Sequence, residues 1–173
     1  MNEFEDTLAK VLVEAERRAR LSGRGDVAEY LHLRASNDAL RAAGIEWLTE
    51  TFEWLAAEIN RAGNRVEIEH QTAHHFSIGA ATMVGTSLTL RKGVRALTIE
   101  AGWPRAPQHG IVRGGGLAHA RIKHFGERGI SEELLLIRSE DGAPRWFVIG
   151  TDDARTQFME TRAYQHVAKL FGA

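Results

Sequence analysis

Histidine residues are the side chains of this sequence best suited to acid–base chemistry. His70 and His74 stand in an alternating segment, and His109 stands in a glycine-rich one. Imidazole titrates near neutral pH, so these residues could transfer protons or bind a metal ion. The alternation predicts that His70 and His74 share the apolar face of one strand, without a carboxylate beside them. We favour hydrogen-bonded structural histidines there. If the protein is an enzyme, all three are the acid–base candidates.

The segment Gly102–Gly116 combines an aromatic ring and two guanidinium groups with flexible glycines. Trp103, Arg105, His109 and Arg113 could together hold a carboxylate or a phosphate. The spacing is neither that of a phosphate-binding P-loop nor that of a dinucleotide-binding fingerprint. The alternative is that the glycines only allow close backbone packing. We name these four residues as the candidate ligand-binding site.

Metal and cofactor chemistry finds no support in the sequence. The chain has no cysteine, which excludes zinc–thiolate sites, iron–sulfur clusters and a thiol nucleophile. It contains no His-Glu-x-x-His motif, no calcium-binding loop and no Gly-x-Ser-x-Gly elbow. We therefore predict no metal site and no cofactor.

The net charge of −1 is distributed unevenly along the chain. Residues 65–131 hold nine Lys and Arg residues against four Asp and Glu residues. His119, Arg121 and Lys123 suit the basic solvent face of a strand, which is one way to bind nucleic acid. The isoelectric point of about 6.7 argues against such a partner. We favour charge compensation within the fold, with acidic N-terminal helices beside a basic sheet, over nucleic-acid binding.

The expected environment of the chain is the cytoplasm. Its first ten residues include Glu3, Glu5 and Asp6, where a secretory signal would be basic and then apolar. The densest apolar runs, Leu134–Ile137 and Trp146–Ile149, are far shorter than the ~20 residues that span a bilayer. The absence of cysteine agrees with a reducing compartment. We expect no membrane association.

Helical periodicity covers residues 1–64 and predicts two or three helices. The first ends at Ser22–Gly25, and a short second helix runs from Asp26 to about Arg34. A third, capped by Ser36 or Asn37, extends to Ala62 and stops at Gly63. We expect Trp47, Leu55 and Ile59 of this helix to face a sheet.

From Arg65 the period changes to two, which indicates strands through Gly150. We place turns at Gly79, at Lys92–Gly93 and at Glu140–Pro144, and we predict a strand over Leu117–Phe125. Thr151 or Asp152 then caps a C-terminal helix that ends at Gly172.

These elements predict an α+β fold in one domain, residues 1–173. It comprises a helical part (1–64), an antiparallel sheet of about six strands (65–150) and a C-terminal helix (151–173) packed on one sheet face. The alternative architecture is helix-grip-like, with a curved sheet around the last helix and a cavity between them.

Two function classes remain open. The first is a non-catalytic binding or regulatory module for a small anionic ligand or a protein partner, which we expect to form a homo-oligomer. The second is an enzyme acting on a small anionic substrate, with Arg105 and Arg113 as clamps and a histidine as acid or base. A pocket that joins a histidine to the arginines favours the enzyme, whereas a flat apolar interface favours the module.

Overall fold

A computed structural model describes residues 3–125, 131–150 and 154–172, and confirms the α+β fold. Within these residues the helices are α1 (Glu3–Leu21), α2 (Gly25–Arg61) and α3 (Glu160–Leu170). The strands are β1 (Glu67–Ile78), β2 (Ala81–Lys92), β3 (Arg95–Trp103), β4 (Ala118–Phe125), β5 (Ser131–Arg138), β6 (Pro144–Ile149) and β7 (Arg155–Gln157). The β3–β4 connection contains two short 3-10 turns, Pro107–His109 and Arg113–Gly115.

The chain divides into two compact units, Met1–Ala42 and Ala43–Ala173. The first is a helical hairpin made of α1 and the beginning of α2. Its turn lies at the predicted place, where Gly23 adopts φ +73 and the Arg24 amide donates to the Ala19 carbonyl at 2.9 Å. The second unit contains the remainder of α2, the sheet and α3.

Helix α2 runs unbroken from Gly25 to Arg61, so the predicted break near Ser36 and Asn37 is wrong. These residues favour helix N-termini, but they only compete with helix formation and do not block it. No glycine or proline stands between Gly25 and Gly44, so nothing forces the helix to end there. The predicted stop at Gly63, with φ +91, is confirmed.

The strands form a single antiparallel meander in the order β1-β2-β3-β4-β5-β6-β7. The predicted turn at Gly79 and the predicted strand over Leu117–Phe125 are confirmed, and the described residues form seven strands where we expect about six. The additional strand, β7, occupies residues where we predicted the last helix. Its extended backbone lets the Phe158 amide donate to the Trp146 carbonyl at 2.8 Å and buries the Phe158 ring. The helix therefore starts at Glu160, and Thr151 and Asp152 lie outside the described residues.

A β-bulge in β1 corrects the prediction that His70 and His74 share a face. Gln71 pairs with Ser87 and His74 pairs with Gly85, so β1 contains one more residue than β2 over this interval. Ala73 adopts φ +53 within the bulge. Because side chains alternate along a strand, one inserted residue reverses which side of the sheet the following residues face.

We call the two sides of the sheet the helix face and the open face. The helix face carries Leu88 and Leu90 and is covered by α2 and α3, whereas the open face carries Glu100 and His119. His70 lies on the helix face, where its Nε2 atom contacts a carboxylate oxygen of Glu53 in α2. After the bulge, His74, Phe76 and Ile78 lie on the open face.

The main core lies between α2, α3 and the helix face. Leu55 is buried as predicted, together with Leu48 and Phe52, while Ile59 is half-buried. Trp47 is 37 % exposed, so its predicted burial is wrong, because the buried stripe of the helix runs through Leu48 and Phe52. α2 can approach the sheet closely at Gly44, where a Cβ atom would lie 2.6 Å from the Leu136 side chain.

We predict that Leu48→Ala destabilises the protein by about 2–5 kcal/mol, since it removes buried methyl groups and leaves a cavity. Leu48 is fully buried in the main core. Urea denaturation followed by circular dichroism measures the change in the free energy of unfolding. The neighbouring Trp47→Ala serves as the control and should cost clearly less, because that side chain is partly in solvent. Equal losses in both variants would contradict the packing described here.

Candidate functional site

A cavity of about 240 Å³ opens on the open face of the sheet, between the strands and the β3–β4 connection. Its apolar wall is formed by Ile78, Met83, Ile111, Leu135 and Ile149. Its polar groups are Arg113, His119, Glu133 and Arg155. No residue of α3 lines this cavity, which differs from the helix-grip-like alternative, where the cavity lies between sheet and helix.

Close backbone approach holds the end of the connection against β5. At Gly116 a Cβ atom would lie 2.2 Å from the Leu135 side chain, so only glycine fits there without displacement. The neighbouring Leu117 amide donates to the Leu136 carbonyl at 2.7 Å. The connection therefore crosses β5 in direct contact, next to the cavity.

Two guanidinium groups stand at the cavity. Arg113 starts the second 3-10 turn, and its guanidinium lies next to Gly79 in the β1–β2 turn. Arg155 of β7 donates from Nη2 to the Gly114 carbonyl at 2.9 Å, and Gly114 adopts φ +75. This hydrogen bond fixes Arg155 beside Arg113 on the connection and leaves its other N–H groups for further partners.

His119 of β4 is the buried titratable group of the cavity. It is 3 % exposed, and its Nδ1 atom is buried without a hydrogen-bond partner among the described residues. Burial lowers the pKa of this imidazole, which outweighs the opposing charge of Glu133 and the carbonyls of Leu134 and Arg113. His119 is therefore a neutral imidazole at neutral pH, at a site lined by charged groups.

The cavity combines an apolar wall with a net positive charge. At neutral pH it contains two arginines, one glutamate and a neutral histidine. Guanidinium groups bind carboxylates and phosphates through charge-assisted hydrogen bonds, while the apolar wall contacts carbon atoms. The arrangement can hold a small organic anion, and the neutral imidazole can exchange a hydrogen bond or a proton with it.

A second polar cluster on the open face surrounds the buried Glu100 carboxylate. His74 Nε2 lies 2.9 Å from Glu100 Oε1, while Arg121 Nη2 and Lys123 Nζ lie 2.9 Å and 3.1 Å from Oε2. Burial acts to raise the pKa of Glu100, but hydrogen bonds from His74, Lys123 and Arg121 outweigh it and lower the pKa. Because the single carboxylate of Glu100 is paired with two basic side chains, Arg121 and Lys123, the cluster retains positive charge.

A third cluster links α3 to the helix face. His124 Nε2 lies 2.9 Å from His166 Nδ1, and His166 Nε2 lies 3.2 Å from Glu132 Oε2. Arg162 donates to both Glu132 oxygens, at 2.9 Å and 2.8 Å. Burial raises the pKa of Glu132, yet hydrogen bonds from His166 and Arg162 dominate and lower it to about 2. The cluster satisfies its buried polar groups and fixes α3, so we assign it a structural role.

The residues proposed from the sequence are distributed over several places. Trp103 is buried in the main core, and the Arg105 guanidinium stacks on its ring at 3.4 Å. His109 ends the first 3-10 turn, where its Nδ1 atom is buried without a partner among the described residues. Arg113 lines the cavity, and His70 and His74 pair with glutamates on opposite faces.

Sequence reasoning did not single out His119, Glu133 or Arg155 for the site. A usable signal existed for His119, because the alternation of β4 placed it on the solvent face with Arg121 and Lys123. What the pattern did not reveal is that the β3–β4 connection covers this end of the strand and buries the ring. Arg155 was not identified because the prediction placed it in a helix.

In residues 3–125, 131–150 and 154–172, no group of three or more His, Asp or Glu residues is arranged to hold a metal ion. No helix in the same ranges combines the length and apolar character needed to cross a bilayer.

Comparison with known proteins gives no relationship from which an activity could be inferred. No protein-family model, no curated protein and no solved structure matches the chain.

We predict that His119 makes stability depend on pH. Its pKa is lowered in the folded protein, so below the unfolded value of roughly 6.5 the unfolded chain binds a proton that the folded chain resists. Stability should therefore fall as the pH drops from 7 to 5. In His119→Gln this slope should be shallower, whereas His75→Gln, at an exposed position of β1, provides the control. Urea denaturation at several pH values measures the slopes, and identical slopes for all three proteins would contradict the assignment.

The Glu132 cluster gives a prediction at lower pH. The pKa of Glu132 is lowered from 4.5 to about 2, so its stabilising contribution is present above pH 4.5 and disappears as the pH falls toward 2. Glu132→Gln should lose stability on the order of 3 kcal/mol at pH 7, and the difference from wild type should shrink below pH 4.5. Glu140→Gln, an exposed change in the β5–β6 turn, is the matched control for thermal denaturation across this range.

Proposed function

We propose that this protein is a binding module for a small organic anion, and that the cavity on the open face is its site. The ligand carries a carboxylate or phosphate toward Arg113 and Arg155 and an apolar portion against Met83 and Leu135. The observation that carries this proposal is that one cavity brings together two guanidinium groups, an apolar wall and the buried imidazole of His119.

The charge of the site supports an anionic ligand. Glu133 neutralises one of the two arginines, and His119 contributes no charge at neutral pH, so one positive charge is available. An anion that carries one negative charge balances this positive charge of the cavity. Each charge-assisted hydrogen bond to such an anion would contribute about 1.5–3 kcal/mol.

The size of the cavity supports a small ligand. Its volume of about 240 Å³ lies below the roughly 300–1,000 Å³ of pockets that enclose drug-sized molecules. Guanidinium groups stand beside an apolar wall in this cavity, so it favours a ligand that has a hydrogen-bonding group beside its apolar portion. Hydroxy and amino derivatives of short carboxylic acids have this combination of groups.

The experiment is a thermal-shift screen of short carboxylates, hydroxycarboxylates and phosphate monoesters, followed by calorimetry on the anion that raises the melting temperature most. Arg113→Ala should weaken binding at least tenfold, and wild-type binding should weaken as salt is added. Arg105→Ala is the matched control, because its guanidinium stacks on Trp103 and is absent from the cavity lining. Equal losses in the two variants would place binding elsewhere on the β3–β4 connection.

The second candidate is an enzyme that acts on the same class of anion. The neutral, buried His119 favours it, because an imidazole with a lowered pKa can accept a proton near neutral pH. In this version Arg113 and Arg155 orient the substrate. Turnover of carboxylic and phosphoric ester probes that His119→Gln abolishes while Arg105→Ala retains it would support the enzyme. Binding without turnover supports the module.

A further inference from the structure

The part of α2 that belongs to the second unit carries two tryptophans on its solvent side. Trp47 is 37 % exposed and Trp54 is 59 % exposed. Neither indole belongs to the main core, to which the same helix contributes Leu48, Phe52 and Leu55. Tryptophan combines a large apolar surface with a polar N–H group and is enriched at protein interfaces. Two such rings left in solvent on one helix therefore indicate a contact surface.

The helix places a carboxylate between the two indoles. Trp47, Glu50 and Trp54 are spaced three and four residues apart, so they are neighbours on one face of the helix. Glu50 is exposed, like both tryptophans, and the tryptophan Cα atoms lie about 10 Å apart along the helix axis. We call Trp47, Glu50 and Trp54 the aromatic strip. It shares no residue with the anion cavity, so an inference drawn from it stands independently of the proposed function.

The surroundings of the aromatic strip are acidic. Residues 43–61 of α2 contain four glutamates and one arginine. Two of the glutamates already have contacts within the chain, in the pairs Glu58–Arg61 and Glu53–His70. Glu46 and Glu50 form no ion pair in the part of the chain that the structure describes, so their negative charge is available to a partner.

The chemistry of the aromatic strip suits a cationic side chain. The face of an indole ring attracts a guanidinium or ammonium group more strongly than other aromatic rings do. The Glu50 carboxylate can accept charge-assisted hydrogen bonds from the same group. This protein already uses such ring contacts internally, with the Arg105 guanidinium 3.4 Å from the Trp103 ring centroid and the Lys92 ammonium 3.5 Å from that of Phe171. An acidic surface repels phosphate, so nucleic acid and anionic lipid are unsuitable partners.

We propose that the aromatic strip docks a basic amphipathic helix of a partner protein. An arginine of that helix lies between the two indoles and binds Glu50, while the apolar side chains of the partner helix pack on the indole rings. A helix fits because the strip is a straight row of about two turns, along which a second helix can pack. A second copy of this chain fits less well, since a two-fold contact through the strip would set Glu46 and Glu50 against the same carboxylates of the other copy.

A labelled peptide of leucine and arginine, arranged as an amphipathic helix of about 18 residues, is the probe for fluorescence anisotropy on the full chain. It should bind, and the peptide with glutamate in place of arginine should bind at least about tenfold more weakly, because like charges then meet. Trp54→Ala should weaken binding of the arginine peptide roughly tenfold, because it removes one wall of the arginine site. Tyr164→Ala is the matched control, because this ring of α3 is 60 % exposed but does not belong to the strip.

Charge reversal separates a local contact from the overall charge of the protein. Glu50→Lys should weaken binding of the arginine peptide at least about tenfold, since it places an ammonium group between the indoles. Glu140→Lys, at an exposed position of the β5–β6 turn, changes the net charge equally and should have a much smaller effect. Circular dichroism of every variant checks that the helices are retained, which we expect because all four positions are exposed.

Several results would overturn the proposal. They are no binding of the arginine peptide, equal binding of the glutamate peptide, equal losses in Trp54→Ala and Tyr164→Ala, and equal losses in the two lysine variants. A wild-type dimer in sedimentation velocity that Trp54→Ala dissociates would also overturn it, because a second copy would then occupy the strip.

Discussion

The sheet of this protein must bury one of its faces, and the rest of the second unit is arranged around that requirement. α2 and α3 cover the helix face, where Leu88, Ile122 and Leu136 form the centre of the main core. Hydrophobic burial on this scale is the dominant stabilising contribution in a domain of this size. The open face is left for polar side chains, except where another part of the chain covers it.

Such a cover exists at one end of the open face, and the cavity arises there. Phe76, Ile78, Ala81 and Met83 form a small apolar cluster beside the β1–β2 turn. This cluster exists because the bulge at Ala73 redirects the end of β1; without it, Phe76 and Ile78 would point toward the helix face. The β3–β4 connection approaches the cluster where Gly110 stands against Ala81. One inserted residue therefore helps to create the wall of the candidate site.

The same bulge determines how charge is distributed over the sheet. The bulge places His74 beside Glu100, and the Glu100 carboxylate also contacts Arg121 and Lys123. The basic character of residues 65–131 is thus partly compensated by a carboxylate of that same segment, on the open face. The sequence alone favours compensation by the acidic N-terminal helices instead. Within the second unit, the corresponding contact from a helix is the Glu53–His70 pair.

The sequence by itself determined the α+β class, the position of the main turns and the antiparallel hairpins that those turns connect. These features depend on local signals: Gly23, Gly63 and Gly79 adopt positive φ values, and the change from helical to alternating periodicity occurs near Arg65. Arg113 was also identified from its own segment. Local conformation and periodicity act over a few residues, so they can be recognised without knowing the rest of the fold.

The tertiary structure decided which side chains share the cavity. His119, Glu133 and Arg155 come from three different strands, and the buried state of His119 depends on a connection that crosses β5. The bulge at Ala73 likewise depends on the pairing of β1 with β2, because nothing in the local alternation marks the extra residue. Pairing register and the path of a long connection are set by contacts between distant residues. A pattern read along one segment does not contain them.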